Sequence, residues 1–345
     1  MKVAVTILNW NGKSFLEKFL PSLFNSLPSY AELIVADNAS TDGSRQAVNN
    51  EKIQWIQLDR NYGFTGGYNR AFDIIKKQAD YNYYVLINSD ILVCEGWLEP
   101  LVDFMESHKE AAACQPKILS FSHHEKGIEQ FEYAGAAGGF IDRWGFPLCR
   151  GRILSCIEED KGQYDSPIQC FWASGACMVV RSDVWHRLGG LDEEFFAHME
   201  EIDFCWRASL MGHQIWCVPQ SKVYHVGGGT LPNNSPRKLY LNYRNNLLML
   251  WKNLPKKRKS ATIFIRKCID GLSAVCYIFQ GKFSYFKSVV KAHRDYSKLK
   301  KEETVSPRIA EQIKDKKEAL PYGMLPYSII RKFFTGKKKF SQLNK

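Results

Sequence analysis

Four short apolar segments near the start of the chain are each followed by polar side chains that could bind a ligand or a metal. The segments are rich in β-branched and aromatic residues, as is typical of buried strands. With the polar groups that follow them, they are Val3–Leu8 with Asn9-Trp-Asn11, Leu33–Ala36 with Asp37-Asn38, Ile53–Leu58 with Asp59-Arg-Asn61, and Tyr83–Ile87 with Asn88-Ser-Asp90. One such group would be ordinary because Asn and Asp favour turns, but four at one edge of a sheet indicate a site.

The segments between these strands have helical spacing or residues that begin helices; they are Phe15–Leu27, Gly43–Asn49 and Gly67–Gln78. Regular alternation of strand and helix with short connections predicts an α/β fold with a mostly parallel sheet flanked by helices. Ligands of such sheets bind at the carboxyl ends of the strands, which is where the polar groups lie.

The pattern is more mixed after the fourth strand. The segment Phe131–Phe146, rich in glycine and aromatic residues, predicts a hairpin or loop over the site. The other predicted elements are a helix over Trp97–His108, a strand over Ala113–Leu119, a strand over Cys170–Val180, a helix over Glu200–Met211, and short strands over Ile215–Val218 and Val223–His225.

The segment Asp37-Asn-Ala-Ser-Thr-Asp-Gly-Ser44 follows a predicted strand and opens a predicted helix. It could be no more than a helix cap and a glycine turn. Its place at a strand end favours instead a nucleotide pocket, in which Asp37 accepts a hydrogen bond from the base.

Asn88 and Asp90 could face one ligand, because alternate residues of an extended segment point the same way. Carboxylate and amide oxygens are hard ligands that suit Mg²⁺ or Mn²⁺, especially when phosphate oxygens complete the shell. Asn-Ser-Asp is also an ordinary turn sequence. Its position after the fourth strand favours the metal.

Three acidic residues lie near the start of a predicted helix. Glu200 and Asp203 share one helix face and Glu201 lies next to it. An acidic helix start is also stabilised by the helix macrodipole, without any further role. However, the apolar segment Leu191–Phe196 would desolvate a nearby carboxylate and raise its pKa, which makes a carboxylate a better general base.

The net charge of +11 is unevenly distributed along the 345 residues. From Lys252 onward there are 24 Lys and Arg against 7 Asp and Glu, so this part carries about +17 and the rest about −6 by formal charge. A nucleic-acid-binding protein more often carries its positive charge on the folded reading surface. We therefore expect no nucleic-acid partner, and a basic tail that forms a separate module.

The tail has the pattern of a helix that lies on a membrane surface. Thr262–Phe286 is apolar and aromatic but is interrupted by charged residues, and no apolar run approaches the ~20 residues of a membrane-spanning helix. Such a helix suits an anionic membrane surface. The first residues lack the features of a signal peptide and the cysteines have no recurring spacing, so we expect reduced thiols and a cytoplasmic protein.

Five motifs in this order resemble family 2 glycosyltransferases. They are Asn9-Trp-Asn11, Asp37-Asn-Ala-Ser-Thr-Asp42, Asn61-Tyr-Gly-Phe-Thr-Gly-Gly-Tyr-Asn69, Asn88-Ser-Asp90 and Glu200-Glu-Ile-Asp-Phe-Cys-Trp-Arg207. The resemblance covers about residues 1–255. More narrowly, it points to the bacterial branch of rhamnosyltransferases and galactofuranosyltransferases that builds surface polysaccharides. It implies the GT-A (nucleotide-diphospho-sugar transferase) fold for residues 1–255, followed by a basic, amphipathic helical tail over residues 256–345.

The resemblance also implies a role for individual residues. Asp90 and His225 would hold a divalent cation, Mg²⁺ or Mn²⁺, with Asn88 standing where the family has an aspartate. Glu201 would be the general base and Asp203 the alternative base. Trp172 and Glu200 would border the acceptor. The nucleotide would contact Asn9, Asp37, Asn38, Arg60, Asn61, Asn69, Asn88 and Arg244.

The implied reaction is the inverting transfer of a sugar from a nucleotide-diphosphate sugar to a hydroxyl of a lipid-linked saccharide. The expected donor is dTDP-L-rhamnose, or secondly a UDP-sugar, and the expected location is the inner face of the cytoplasmic membrane. Three alternatives remain: a nucleotidyltransferase, a membrane-associated nucleotide-binding scaffold with a degenerate site, and a dinucleotide-dependent oxidoreductase. The first would need a basic triphosphate-binding loop, which Asn9-Trp-Asn-Gly12 lacks, and the third a Gly-x-Gly-x-x-Gly motif after the first strand.

Overall fold

The predicted alternation of strands and helices is present in the computed structural model, which describes residues 1–48, 50–227, 235–300 and 320–343. The first elements are β1 (Val3–Asn9), α1 (Lys13–Asn25), β2 (Ala31–Asp37), α2 (Ser44–Ala47), β3 (Gln54–Gln57), α3 (Gly63–Gln78) and β4 (Tyr83–Ile87). Each of the four predicted strands is therefore confirmed. The predicted end of the second helix, Asn49, lies outside the described residues.

These four strands run parallel, and their register aligns their carboxyl ends. β1 pairs with β2 on one side and β4 on the other, and β3 pairs with β2. Asn9 lies opposite Asp37, which in turn lies opposite Gln57. One face of the strands packs against α1 and the other against α3, as the alternation of side chains along a strand requires. The polar side chains after the strands therefore meet at one edge.

The remaining elements include a second, smaller sheet and a group of C-terminal helices. They are β5 (Ile91–Val93), α4 (Glu99–Ser107), β6 (Ala111–Ser120), α5 (Phe121–His124), β7 (Gly139–Asp142), β8 (Pro147–Cys149), β9 (Arg152–Ile153), β10 (Cys156–Ile157), β11 (Ile168–Cys170), β12 (Cys177–Arg181), α6 (Ser182–Leu188), α7 (Glu200–Leu210), β13 (Gln214–His225), α8 (Pro236–Asn253), α9 (Lys256–Phe279), α10 (Phe283–Leu299), β14 (Met324–Leu325) and α11 (Ile329–Phe334).

The large sheet is mixed, and in this respect the prediction of a mostly parallel sheet is corrected. β12 lies between β4 and β6 and runs opposite to both, while β11 and β5 run opposite to β13. The antiparallel strands β5, β11 and β12 follow loops, whereas β6 and β13, which follow the helices α4 and α7, pair in parallel with each other. The strand predicted over Cys170–Val180 is two strands, β11 and β12, and the two short strands predicted after α7 form the single strand β13.

The segment expected to form a hairpin or loop, Phe131–Phe146, contributes β7 to the second sheet. The order of strands in that sheet is β10-β9-β8-β7-β14, with β7 and β8 forming an antiparallel hairpin. The last strand, β14, comes from the C-terminal part of the chain and pairs in parallel with β7.

The basic tail is packed against the rest of the protein more closely than the charge pattern predicts. Helices α9 and α10 contact α8, and the buried guanidinium of Arg266 donates to the backbone carbonyl of Gly145 at 3.2 Å. The backbone N–H of Ile329 donates to the buried carboxylate of Asp142 at 2.8 Å. The expected separate module therefore shares a core with residues 1–255, although residues 301–319 and 344–345 lie outside the described part of the chain.

Two further expectations concern the cysteines and the membrane. All ten cysteines are free thiols. Among the described residues, no helix is both long enough and apolar enough to cross a membrane.

Ile329→Ala tests whether the tail is docked in solution. The side chain of Ile329 is fully buried, so we expect the free energy of unfolding to fall by about 2–4 kcal/mol in urea denaturation. Phe334→Ala is the matched control, since this neighbouring side chain is 80% exposed and its removal should change little. Equal stability of the two variants would contradict the docking.

Candidate active site

The ends of β1 and β2 are joined by a buried hydrogen-bond cluster. The Asn9 side-chain amide donates to Asp37 Oδ2 at 2.8 Å, and Asp37 Oδ1 accepts from the Ser40 backbone N–H at 2.8 Å and from the Gln57 amide at 3.0 Å. Asn9 and Asp37 are almost completely buried. Asp37 therefore supports the loop after β2 from below, and a ligand would meet the loop more readily than the carboxylate itself. Sequence reasoning missed Gln57.

Asn38 and Asn61 shape the turn that begins α3. The Asn38 amide donates to Asn61 Oδ1 at 3.1 Å and to the Gly63 carbonyl at 2.9 Å, while its own oxygen accepts from the Tyr62 N–H. Asn61 Oδ1 also accepts from the Gly63 N–H at 2.8 Å. Both side chains are thus occupied within the protein. Arg60 is exposed and stacks over the ring of Tyr62, with 4.7 Å between the guanidinium carbon and the ring centroid.

Asn69 does not lie free to contact a nucleotide, so that expectation is corrected. Its amide donates to the Leu191 carbonyl at 2.8 Å and its oxygen accepts from the Leu191 N–H at 2.9 Å. This pair of bonds ties α3 to the segment before α7. The partner is distant in sequence, which is why the Gly-rich motif alone could not reveal it.

Asn88, Asp90 and His225 are brought together at the ends of β4 and β13. His225 Nε2 lies 3.2 Å from Asp90 Oδ1 and 3.3 Å from the Asn88 amide nitrogen. Glu132, which sequence reasoning missed, lies on the other side of the ring, with Oε1 at 3.7 Å from His225 Nδ1. Glu132, Asp90 and His225 are each less than a tenth exposed. No motif marks Glu132, because it comes from an irregular segment.

The electrostatics of this group favour the charged forms. Burial alone would lower the pKa of His225, but the carboxylates of Asp90 and Glu132 raise it to about 10. Burial opposes ionisation of both carboxyls, and the contact with His225 nevertheless holds the pKa of Asp90 and of Glu132 below its usual value. The histidine thus compensates two buried negative charges in this arrangement, and it would release its proton if Nε2 were to ligate a metal ion.

The residues here fit part of a divalent metal site. Two adjacent ligands of an ion bound at about 2.1 Å lie about 3 Å apart, which matches the distance between His225 Nε2 and Asp90 Oδ1. Carboxylate oxygen suits Mg²⁺ and Mn²⁺. Among the described residues, no three His, Cys, Asp or Glu side chains are arranged to hold a metal ion on their own. The pair could therefore anchor an ion only with further ligands.

Glu200 and Glu201 begin α7, directly after a strained segment. Three non-glycine residues there have positive φ: Phe196 (63°), His198 (71°) and Met199 (73°). Such conformations cost of order 1–3 kcal/mol each and persist only where the surroundings impose them. One buried carboxylate oxygen of each glutamate, and Nε2 of His198, have no hydrogen-bond partner among the described residues. Unpartnered buried polar atoms mark this turn as a site that can accept a ligand's proton or hydrogen bond.

Burial sets the protonation of these side chains. Desolvation raises the pKa of Glu201 to about 7, and it raises the pKa of Glu200 well above its usual value, with the charge of Glu201 adding to the effect. Desolvation, followed by the charge of Lys238, lowers the pKa of His198 to about 4. Near neutral pH, Glu201 can therefore gain or lose a proton while His198 stays neutral.

Two side chains of α8 hold the strained segment in place. The buried Asn245 amide donates to the carbonyls of Phe195, Ala197 and His198 at 2.9, 2.8 and 2.7 Å. Arg244 donates to the carbonyls of Glu194 and Phe195 at 2.8 and 3.0 Å. We call these two residues the carbonyl clamp. Arg244, expected to contact the nucleotide, is occupied here, and the neighbouring Asn245 was not predicted to have a role.

The turn that carries Asn88 and Asp90 contacts the loop before β12, and this loop in turn contacts Glu201. The Asn88 N–H donates to the Ala176 carbonyl at 2.9 Å. Next to it, a Cβ placed on Gly175 would lie 3.1 Å from the Phe64 ring and 3.6 Å from Glu201 Cβ. The small residue at 175 thus lets Phe64 and Glu201 approach each other beside the end of β4.

Two expected site residues lie in the interior instead. Asp203 is 1% exposed, and its oxygens accept from Arg207 at 2.7 Å and from Asn253 at 2.6 Å, so it has no oxygen free to act as a base. Trp172 is 3% exposed, packs on Gly139 and donates to the Phe140 carbonyl at 3.0 Å, so it does not border an acceptor. Both expectations are corrected.

The chain is similar to known proteins in both sequence and structure. Residues 4–149 match the family model described as Glycosyl transferase family 2. The chain is 23% identical over 293 residues to the low-salt glycan biosynthesis hexosyltransferase Agl10 of Haloferax volcanii, covering 84% of this chain and 88% of that protein. It is 24% identical over 231 residues to the N-acetylglucosaminyl-diphospho-decaprenol L-rhamnosyltransferase of Mycobacterium tuberculosis, covering 64% of this chain and 75% of that protein.

Two solved structures show the fold. A crystal structure of GalNAc-T7 with UDP, GalNAc and Mn²⁺ has a TM-score of 0.54 at 17% identity; the match covers 75% of this chain and 49% of that one, so this chain spans about half of its length. Staphylococcus aureus TarS 1–349 in complex with UDP-GlcNAc has a TM-score of 0.52 at 16% identity, covering 92% of this chain and 88% of that one. These likenesses confirm the expected fold class.

Asn245→Ala tests the carbonyl clamp. Three carbonyls would lose their shared donor in a buried setting, so we expect the free energy of unfolding to fall by about 1–3 kcal/mol in urea denaturation. Asn50→Ala, at an exposed asparagine, is the matched control. A clamp variant as stable as this control would show that the segment needs no clamp.

Proposed function

Since the chain carries a family 2 glycosyltransferase domain and is a glycosyltransferase, we propose that it transfers a sugar, with inversion, from a nucleotide-diphosphate sugar to a hydroxyl of a lipid-linked saccharide. The product would be part of a cell-surface polysaccharide. The observation that supports this reading best is the buried, unpartnered Oε2 of Glu201, which lies next to the loop at Gly175 and Ala176 that bonds to Asn88.

The proposed reaction is a single displacement at the anomeric carbon. The acceptor oxygen forms a bond to that carbon as the bond to the diphosphate oxygen breaks. Glu201 removes the acceptor proton, and the nucleoside diphosphate leaves with the electron pair. General-base catalysis of this kind contributes about 10²–10⁴-fold. Glu200, whose carboxyl is buried and has a pKa raised by that burial, is the residue of α7 that would border the acceptor.

Asp90 and His225 would hold a divalent cation, Mg²⁺ or Mn²⁺, with Asn88 beside them. Such an ion, when bound, neutralises negative charge on the diphosphate. The crystal structure of GalNAc-T7 contains Mn²⁺ together with UDP, which supports this assignment. The loop after β2, supported by Asn9, Asp37 and Asn38, would bind the nucleoside, and Arg60 and Asn61 would lie at its edge.

The first choice of donor is dTDP-L-rhamnose and the second a UDP-sugar. The name of the mycobacterial relative, a rhamnosyltransferase that acts on a decaprenol-linked diphosphate, supports both the first choice and a lipid-linked acceptor. The UDP bound to GalNAc-T7 and the UDP-GlcNAc bound to TarS support the second.

Nucleoside diphosphate release from a panel of dTDP-, UDP- and GDP-sugars tests this proposal. With Mn²⁺ we expect slow hydrolysis of one donor, dTDP-L-rhamnose first, and its loss with EDTA or in Asp90→Ala. Glu95→Gln, at an exposed glutamate, is the control and should behave as the wild type. No release and no donor binding by calorimetry would instead favour a degenerate nucleotide-binding scaffold.

The pH dependence of turnover tests the role of Glu201. A general base must be deprotonated to act, and the pKa of Glu201 is raised to about 7 by burial. We therefore expect the rate to rise with pH up to about pH 7 and to level off above it. Glu201→Gln should lower the rate by about 10²–10⁴-fold and remove the rise. A wild-type profile that is flat between pH 5 and 8 would contradict this role.

The structure offers a face for the proposed attachment to the inner surface of the cytoplasmic membrane. Helix α9 carries an apolar stripe along its outer side, formed by Phe264, Leu272, Val275 and Phe279, which are 69%, 68%, 47% and 87% exposed. Their spacing of three, four or eight residues places them on one helix face. The helix begins with the basic run Lys256-Lys-Arg-Lys259, which suits an anionic leaflet.

Point substitutions test the membrane face better than removal of the tail, which would take away core residues. In Phe264→Ser/Leu272→Ser/Phe279→Ser we expect binding to sedimented vesicles with phosphatidylglycerol to fall about tenfold or more, because the variant loses apolar area buried in the interface. Unfolding should be unchanged. Phe334→Ser, at a phenylalanine that is 80% exposed on α11, is the control. Undiminished vesicle binding by the triple variant would exclude this face.

A further inference from the structure

A cleft of about 420 Å³ between α8 and α10 has no part in the proposed displacement reaction. Three cationic side chains line it, Arg237 and Arg244 from α8 and Lys291 from α10. Phe196, Tyr240 and Ser288 also line it. A site with several cations and aromatic walls suits a ligand that has an anionic group next to an apolar one.

Among the described residues, no carboxylate pairs with the cations of the cleft. Within the part of the chain that the structure describes, neither of the two arginines nor Lys291 forms an ion pair. Arg244 donates to neutral oxygens, the two carbonyls of the clamp and Asn245 Oδ1. The nearby Asp295 accepts instead from the Tyr240 hydroxyl at 2.9 Å. Like charges brought together repel, so an anion bound between them is favoured.

Aromatic rings hold these cations in position. The Arg237 guanidinium lies 5.5 Å from the centre of the Phe196 ring, and Lys291 and Arg244 lie 5.0 and 5.4 Å from the centre of the Tyr240 ring. The face of an aromatic ring attracts a cation even at exposed positions. The cations are therefore arranged around a common space in advance of any ligand.

The cleft is linked to the proposed base through Phe196, Phe64 and Gly175. Phe196 forms part of its wall, and the Phe196 carbonyl accepts from the Phe64 N–H at 2.8 Å. The ring of Phe64 in turn lies beside Gly175, which faces Glu201. A ligand in the cleft could thus extend past Phe196 toward Glu201. The helix that supplies Lys291 also packs against α9, which carries the apolar stripe.

We propose that this cleft binds the diphosphate of a lipid-linked acceptor, so that its lipid extends toward the apolar stripe of α9 and its sugar toward Glu201. This inference rests on the proposed function and adds the site at which the acceptor is recognised. The diphosphate lies between Arg237 and Lys291, which donate to its oxygens, and the positive charge of Arg244, which stays bonded to the clamp carbonyls, lies beside it. Because the donor's diphosphate is assigned to the side of Asp90 and His225, the enzyme holds two diphosphates at separate sites.

The test uses the full-length protein and geranyl diphosphate, measured by calorimetry with EDTA present so that no metal site contributes. The variant is Arg237→Ala/Lys291→Ala, which spares the clamp residue Arg244, and Lys282→Ala/Lys287→Ala removes the same charge from exposed positions on or next to α10 outside the cleft. We expect the affinity to fall at least about tenfold in the first variant and to stay unchanged in the second. Geraniol, which lacks the diphosphate, should not bind to either.

Two further arms separate the possible sources of the anion. Affinity for UDP or dTDP with Mn²⁺, and binding to vesicles with phosphatidylglycerol, should both be unchanged in Arg237→Ala/Lys291→Ala. A loss of nucleotide affinity would assign the cleft to the donor, and a loss of vesicle binding with intact geranyl diphosphate binding would assign it to phospholipid headgroups. Either result would overturn the proposal, as would equal affinities in the two variants.

The same design separates this inference from the proposed function. Donor hydrolysis needs no lipid and should be the same in the wild type and in Arg237→Ala/Lys291→Ala. If the wild type hydrolyses no donor but its geranyl diphosphate binding still depends on the two cations, the proposed function fails and the cleft assignment stands. If hydrolysis proceeds and geranyl diphosphate does not bind, the cleft assignment alone fails.

Discussion

The candidate site depends on the hydrogen bonds that the Asn245 side chain donates to three carbonyls of the segment before α7, those of Phe195, Ala197 and His198. That segment has positive φ at three residues with side chains, a conformation that would relax without outside support. Its geometry decides where α7 begins, and therefore where Glu201 is presented. A helix far along the chain thus fixes the position of the proposed base, and packing of α9 and α10 on α8 supports that helix in turn.

The second constraint is the register of the parallel strands. Because Asn9, Asp37 and Gln57 lie side by side, the loop after β2 is supported by a buried polar cluster and can remain open to a ligand above it. The mixed half of the sheet adds His225 from β13 and Asp90 from the turn between β4 and β5, two positions far apart in sequence. The site therefore lies where the parallel and mixed parts of the sheet adjoin, which accords with binding at strand ends in α/β folds.

The sequence allowed the strand ends to be predicted because both signals, an apolar run and a polar turn, are local. The interior roles of Asn69, Asp203 and Trp172 could not be predicted, since their partners are Leu191, Asn253 and Phe140, which no spacing rule links to them. For the same reason Glu132 and His198 were missed: the first comes from an irregular segment and the second owes its environment to α8. The docking of the tail was missed because net charge indicates solubility and partners but says little about which apolar residues are buried.

A crystal structure of the protein with Mn²⁺ and the nucleoside diphosphate of its donor tests the central claim most directly. The account predicts anomalous density for manganese within bonding distance of Asp90 and His225, with the diphosphate beside it. It also predicts that the Glu201 carboxylate faces the adjoining space and remains unpaired with any protein donor. Manganese bound elsewhere, or a Glu201 side chain turned away into a protein hydrogen bond, would contradict the account.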